Sequence, residues 1–464
     1  MTGSISARTD SQQDGVYPRL TPEHQLIKMP DVAVVNEALP ADNRAAHVEN
    51  NAKGDDDFLW VDLDAATVLE RCDGTRSVSE LLDELAETSA ERRSVREFLG
   101  TMVETGCLDV HEEPQSGDIT VKGSTEYYLP IHLSMELTDA CNLTCDHCYR
   151  VAEPKNGTFM EYDDAISLVD EMADASLTTV ELTGGEATLH PRFTDIATYC
   201  AERLNLVGIL TNGMLIEEEM LDALEPYRDS VMFSVSLDSH DPEYHNEFRG
   251  SERAYDLTTE GIDMITDRGF VTRVSMSVTP ANASHMEDLA SLAIDLGADM
   301  FSFSPVMPFG RALEDYHWTT EDVKDLSEQA DRVREKHGDS IPTIDMENFT
   351  ERHEARSHNC GAGWKTVTVG PDGEVRPCVM AEDGRDGLGT LDFEDPTAFF
   401  EAVGDVTKAF HDRTPPNKDI CGDCSNLHFC RNCILRSRAT VENDFTDVCR
   451  YGPHVRMERL LDGD

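Results

Sequence analysis

Lysine is scarce in this 464-residue chain, tryptophan occurs three times, and no long apolar run is present. Nine of the 39 basic residues are lysine, set against 91 aspartates and glutamates, for a formal net charge of −52. A field of that sign repels polyanions, so nucleic acid is excluded as a natural partner. No window approaches the roughly 18–20 consecutive apolar residues that a spanning helix requires. The first thirty residues lack the basic start and apolar stretch of a signal peptide. The expectation is a cytoplasmic protein with no membrane partner. Heat adaptation enriches Lys and Glu together, so the shortage of lysine argues against it. Salt adaptation fits better, because in molar salt the Debye length falls to about 3 Å and like charges are screened. Hydrophobic residues at 39% suffice for real cores, and the length suggests two or three domains.

Thirteen cysteines are the most informative feature, at 72, 107, 141, 145, 148, 200, 360, 378, 421, 424, 430, 433 and 449. An odd total without an export signal argues against a disulfide framework and toward metal ligation. Cys72, Cys107 and Cys200 sit inside apolar helical patterns, where free cysteine packs as a small hydrophobe. The other ten form two clusters.

Residues 1–16 carry no apolar period and read as a disordered leader. Residues 17–111 follow as a compact unit, with short strands VAVV at 32–35 and FLWVDL at 58–63 around a polar insert at 40–57. Val78, Leu81, Leu82 and Leu85 keep helical spacing, with Ser77 and Glu80 as a capping box. Val95, Phe98, Leu99, Met102 and Val103 repeat that spacing, and Gly106 stops the helix. This winged-helix-like unit, through LDAATVLERCDGTRSVSELLDELA at 63–86 and VREFLGTMVETGCL at 95–108, resembles the RiPP recognition element. That is the peptide-binding domain typified by the peptide chaperone of pyrroloquinoline quinone biosynthesis. The resemblance implies that an extended leader peptide adds to a sheet edge and packs on a helix.

After a linker at 112–127, residues 128–335 show six strand patterns, at 132–138, 178–185, 206–213, 230–238, 271–280 and 300–306, with helical patterns between them. Strand then helix, six times over, predicts an α/β fold: a partial (β/α)6 TIM-like barrel of parallel strands. Sites of such folds lie at the C-terminal strand ends. Directly after the first strand stands CNLTCDHC, placing Cys141, Cys145 and Cys148 at CxxxCxxC spacing. Three thiolates hold three irons of a [4Fe-4S] cluster and leave the fourth open; a structural zinc site wants four ligands.

The motif resembles the radical SAM superfamily. The resemblance implies that the open iron is chelated by S-adenosylmethionine, which is cleaved reductively to a 5′-deoxyadenosyl radical. Matched position by position, it gives Gly184, Gly185 and Glu186 to the GGE motif, whose carboxylate would bond the SAM ammonium group. Thr211, Asn212, Ser236 and Asp238 fall where ribose contacts lie, and Arg249 matches the arginine that pairs with the SAM carboxylate. His147 takes the place of the usual aromatic before the third cysteine, its adenine contact made by backbone.

Beyond a connector at 336–359, residues 360–464 carry the second cluster. Cys360 and Cys378 bracket a hairpin, TVTVGPDGEVRPC, as Cys-x12-Gly373-x4-Cys; Cys421, Cys424, Cys430, Cys433 and Cys449 follow. This resembles the iron–sulfur-binding SPASM domain, with one departure: two residues, Arg431 and Asn432, precede Cys433 where the pattern has three. The resemblance assigns Cys421, Cys424, Cys430 and Cys449 to one auxiliary cluster. It assigns Cys360, Cys378 and Cys433 to another, completed by an open position or a ligand such as His358. A smaller cluster or a shifted ligand set fits the same residues. Zinc ribbons usually separate their Cys pairs by about 15–20 residues, which disfavours zinc here.

Together these resemblances imply a maturase that oxidatively modifies a precursor peptide, using SAM, one or two auxiliary Fe–S clusters, and an electron donor such as ferredoxin or flavodoxin. No residue can be named as the base that takes the final proton. Two alternatives stay open: the same core acting on a small molecule or tetrapyrrole, as haem-biosynthesis relatives do, and a non-catalytic iron–sulfur electron relay. The acidity yields its own prediction. Dialysis from molar to millimolar KCl should lower the melting temperature; a curve indifferent to salt contradicts salt adaptation.

Overall fold

The computed structural model describes residues 15–37, 59–154, 157–307, 310–313, 318–341, 343–345, 359–381, 384–424, 427–430, 433–435 and 451. Most of the expected leader, the polar insert at 40–57, His358 and Cys449 lie outside them. The chain divides into two compact units, Met1–Ala41 with Asp56–Leu129 and Asp174–Ser176, and the remainder. No helix among the described residues is long and apolar enough to cross a membrane.

In the first unit, β1 (Tyr17–Leu20) pairs antiparallel with β5 (Leu108–His111). A second sheet, in the order β4-β3-β2-β6, holds β2 (His24–Lys28), β3 (Ala33–Glu37), β4 (Leu59–Val61) and β6 (Val121–Gly123). Three helices follow β4: α1 (Leu63–Leu69), α2 (Val78–Leu85) and α3 (Ser89–Glu104). The capping box of α2 forms in both directions between Ser77 and Glu80. Gly106 follows α3 at φ +81°, the left-handed conformation that ends helices. Cys72 and Cys107 pack in the core with Leu26, Val35, Leu81 and Leu99. The segment read as a linker is not wholly one, because Val121 pairs in parallel with Leu26. Its pattern, Ile119 then Val121, is too short to announce a strand, and the register depends on Gly123, where a Cβ would lie 2.0 Å from the Lys28 carbonyl oxygen.

The second unit is built on one ten-stranded sheet. Its six expected strands are β7 (His132–Glu136), β8 (Thr179–Thr183), β9 (Leu206–Thr211), β10 (Val231–Ser236), β11 (Val271–Val278) and β12 (Met300–Pro305). Each lies parallel to the next. Helices α4 (Tyr162–Ala175), α5 (Phe193–Arg203), α6 (Glu218–Leu224), α7 (Pro242–Arg249), α8 (Ala254–Asp267) and α9 (Met286–Asp295) occupy the crossovers. The sheet runs past the expected six strands on both sides. Beyond β12, in the segment read as connector, β13 (Thr343–Asp345) adds a seventh parallel strand. Beside β7, the hairpin of β14 (Thr366–Val369) and β15 (Glu374–Arg376) joins, with β16 (Gly389–Thr390) at the edge. The hairpin anticipated between Cys360 and Cys378 therefore continues the parallel sheet, with β14 parallel to β7.

Alternation gives this sheet two unlike faces. Leu133, Val180, Ile209, Phe233, Val274 and Phe301 are fully or nearly fully buried on one. The other carries Ser134, Glu181, Ser234, Arg273, Ser275 and Ser302, aligned by the register Ser134↔Glu181, Ser234↔Arg273 and Ser275↔Ser302. Met232, Val271, Met300 and Leu206 form an apolar floor near the N-terminal strand ends of this polar face. Burial would push Glu181 upward, but His132 at 3.5 Å, Arg273 and the Ser134 hydroxyl outweigh it and hold the carboxyl down at about 2.

Candidate functional site

The loop after β7 carries Cys141, Cys145 and Cys148, and backbone contacts from neighbouring strand ends fix it. After β8, the Gly185 N–H donates to the Thr138 carbonyl at 2.8 Å and the Glu186 N–H to that of Ala140 at 2.9 Å. Gly184 has φ +138°, and a Cβ built there would stand 2.2 Å from the Thr138 oxygen; one at Gly185 would stand 2.2 Å from the Ala140 oxygen. The GGE glycines thus admit the cysteine loop itself. Two more glycines, unmarked by the motif, do the same: a Cβ at Gly250 would lie 2.5 Å from Thr144 Oγ1, and one at Gly310 would lie 2.4 Å from the Cys148 oxygen. Arg311 completes the clamp, donating from Nε to the Cys145 carbonyl at 2.8 Å and from Nη2 to that of Ala152 at 3.1 Å.

Cys141 and Cys145 are buried and Cys148 half-buried, in one cluster with Leu143, Ala152 and Met214. Burial pushes the Cys141 thiol up to about 12, with Glu186, Cys145 and Cys148 adding to the rise. Burial also raises Cys145, opposed by Arg249, whose Nη1 donates to its Sγ at 3.8 Å. Among the described residues no three His, Cys, Asp or Glu side chains are close enough to hold a single metal ion. The three thiols are neighbours without converging on one point, as a zinc ion with ~2.3 Å bonds would require. An iron–sulfur cluster is larger and bridges such thiols through several irons, so the donor set fits it.

Two buried networks join the loop to the strand ends. In the first, the Glu186 carboxylate accepts from Thr188 Oγ1 at 2.6 Å, Thr211 Oγ1 at 2.7 Å and the Asn212 N–H at 2.8 Å. Asn212 Nδ2 in turn donates to Asn142 Oδ1 at 2.7 Å, within the cysteine motif. In the second, Arg249 Nε donates to Asp238 Oδ2 at 2.6 Å and the Ser277 N–H to Oδ1 at 2.9 Å. Burial would raise Asp238, but Arg249 foremost holds it below the usual carboxylate range. Two residues expected to meet different parts of SAM therefore hold each other, because a carboxylate so deeply buried needs a cation beside it. Ser236 is half-buried on the polar face in register with Ser275, and no side-chain hydrogen bond among the described residues ties it to these networks. The His147 ring is stacked on Phe248, centroids 4.2 Å apart, and burial and Arg249 lower it to about 3, so it is neutral at any working pH.

Of the second cysteine group, Cys360 and Cys378 flank the C-terminal hairpin. Burial and the neighbouring Cys360 push the Cys378 thiol up to about 12. The Tyr451 phenol donates to the Thr414 carbonyl at 2.7 Å, and burial, then Cys421, Cys433 and Cys360, raise it. Cys421 and Cys430 end the short helices Lys418–Cys421 and Leu427–Cys430.

Residues 135–293, from β7 into α9, match the sequence model of the Radical SAM superfamily. The chain carries a radical SAM domain. It is 29% identical over 416 residues to the antilisterial bacteriocin subtilosin biosynthesis protein AlbA of Bacillus subtilis, covering 87% of this chain and 91% of that protein. It is 28% identical over 352 residues to the AdoMet-dependent heme synthase of Methanosarcina barkeri, covering 70% of this chain and 97% of that one. Among solved structures, Streptococcus suis SuiB bound to precursor peptide SuiA aligns over 90% of this chain and 96% of its own, with TM-score 0.63 and 13% identity. That last likeness is one of fold.

The radical SAM domain of this chain depends on its glycine contacts, so Gly185→Ala should cost roughly 1–3 kcal/mol as an overpacking change. Iron bound after anaerobic reconstitution should fall while far-ultraviolet circular dichroism is retained. Wild-type iron content in that variant would show that the loop does not need this approach.

Proposed function

We propose that the chain is a radical SAM maturase that oxidatively modifies a ribosomal precursor peptide. One observation carries this reading: the AlbA match covers 87% of the chain, too much to be confined to the residues after the first unit. A small-molecule enzyme would have no use for a separate peptide-binding unit. In this reading Cys141, Cys145 and Cys148 hold a [4Fe-4S] cluster with one open iron. Glu186 meets the SAM ammonium group and Arg249 its carboxylate, while Thr211, Asn212 and Ser236 border the ribose. Asp238 serves first to aim the Arg249 guanidinium, and the His147 backbone faces the adenine. When bound, cluster and SAM supply a 5′-deoxyadenosyl radical that abstracts a substrate hydrogen.

The SPASM assignment extends the proposal. Cys421, Cys424, Cys430 and Cys449 hold one auxiliary cluster; Cys360, Cys378 and Cys433 hold the other, which accepts the substrate electron. The first unit captures the leader peptide by strand addition, with β4 and β6 as the edges of its four-stranded sheet. A low-potential ferredoxin or flavodoxin in the cytoplasm supplies the electrons. The heme synthase match favours a second reading, action on a tetrapyrrole, which leaves the first unit as no more than a dock.

Reconstituted anaerobically and given dithionite and SAM, the chain should release 5′-deoxyadenosine. It should also bind a short peptide encoded beside it, and lose that binding when residues 1–111 are deleted. No 5′-deoxyadenosine would leave only an electron relay; turnover with a porphyrin and none with the peptide would favour the second reading.

A further inference from the structure

An ion triad with two fully buried members, Glu136 and Arg376, and a half-buried third, Arg150, lies outside the networks described above. Glu136, the last residue of β7, is 0% exposed. Arg150 Nη2 reaches its Oε2 at 2.9 Å, and Arg376 Nη2 bonds the same oxygen. Arg376 Nη1 also donates to the Ala381 carbonyl at 3.1 Å. The positions of the two arginines give the triad its meaning. Arg150 lies two residues beyond Cys148, and Arg376 two residues before Cys378. Glu136 sits where the parallel sheet receives the C-terminal hairpin, since Met135 is in register with Val369 of β14 and Thr368 of β14 with Arg376 of β15. One carboxylate oxygen therefore ties the exit of the first cysteine loop to the approach to the second cysteine group.

Burying three charges is costly, and apolar residues of similar size would pack the same space at least as well, so the triad is not explained by stability alone. Its neighbours point to another role. Burial and then Glu136 raise the Tyr149 phenol, with Cys148, Arg150 and Arg376 all acting on the same ring. Arg376 likewise acts on the Cys378 thiol. In an interior of low effective dielectric, a charge so placed acts on both cysteine groups at once. Net charge and hydrogen bonding near the sulfurs are the means by which a protein sets the potential of an iron–sulfur group.

We propose that Glu136 is a positioning residue that holds the two cysteine groups in fixed relation and, with Arg150 and Arg376, sets the reduction potentials of the iron–sulfur groups bound there. The inference rests on the reading that both groups bind iron. Glu136→Gln keeps shape and an acceptor while removing a negative charge, so it should move both potentials to less negative values. Arg376→Gln removes a positive charge and should move both to more negative values. The double variant restores the charge count and should bring both back toward wild type, which a merely structural defect would not do.

The test is a potentiometric titration of the anaerobically reconstituted full chain followed by electron paramagnetic resonance. The signal perturbed by added SAM marks the first group. Opposite shifts of both signals in the single variants, with recovery in the double, support the proposal. Should Glu136→Gln fail to take up iron, Arg376→Gln and Arg150→Gln carry the same test: downward shifts in both signals support coupling, and a shift in one or neither overturns it. A wild-type chain with one iron–sulfur signal overturns the auxiliary-cluster reading and the coupling together. Two signals indifferent to all these variants overturn the coupling alone.

Discussion

The carbonyl oxygens of Thr138 and Ala140 are met by backbone N–H groups of Gly185 and Glu186 across a gap that no side chain can share. The CxxxCxxC loop has no regular secondary structure to hold it, so its shape comes from such long-range contacts. Strand ends after β8 and β12 and the glycine after α7 press on it from three directions, each at a glycine. Every hydrogen bond contributes about 1 kcal/mol net, which is modest singly. Collectively they hold three thiols side by side before any metal arrives. Burial raises the Cys141 and Cys145 thiols and so favours their protonated form in the free protein, which means that metal binding at these two releases protons.

Charge is distributed unevenly between surface and interior. The net charge is −52, yet arginines stand at these buried places: Arg249 on Cys145, Arg311 on the loop carbonyls, Arg150 and Arg376 on Glu136, and Arg273 near Glu181. Guanidinium suits these places because it stays ionised when buried and its planar fork reaches two acceptors at once. Lysine would shift toward neutrality there.

Much of this was legible in the sequence. The six strands β7–β12 announce themselves because short, partly alternating apolar patterns recur at regular intervals between helical ones, and cysteine spacing singles out the loop after β7 unaided. Less visible was whatever acts across long separations. Arg311 bonds a carbonyl 166 residues away, Arg376 a carboxylate 240 away, and neither belongs to a motif. Asp238 and Arg249 were singled out by resemblance, but not as partners, because spacing along the chain says nothing of which buried charge answers which. Strands β6 and β13, at three residues each, are too short to leave a period. The glycines of GGE were recognised by family resemblance, while their physical task, admitting the cysteine loop, shows only in the folded contacts.

In the proposed function, one iron of a Cys141–Cys145–Cys148 cluster has no protein ligand, so that SAM can occupy it. Electron paramagnetic resonance of the reduced, anaerobically reconstituted chain, recorded with and without SAM, tests it most directly. SAM should change the signal of one cluster, and the change should disappear when these three cysteines are replaced by alanine. Spectra identical in the presence and absence of SAM would contradict it.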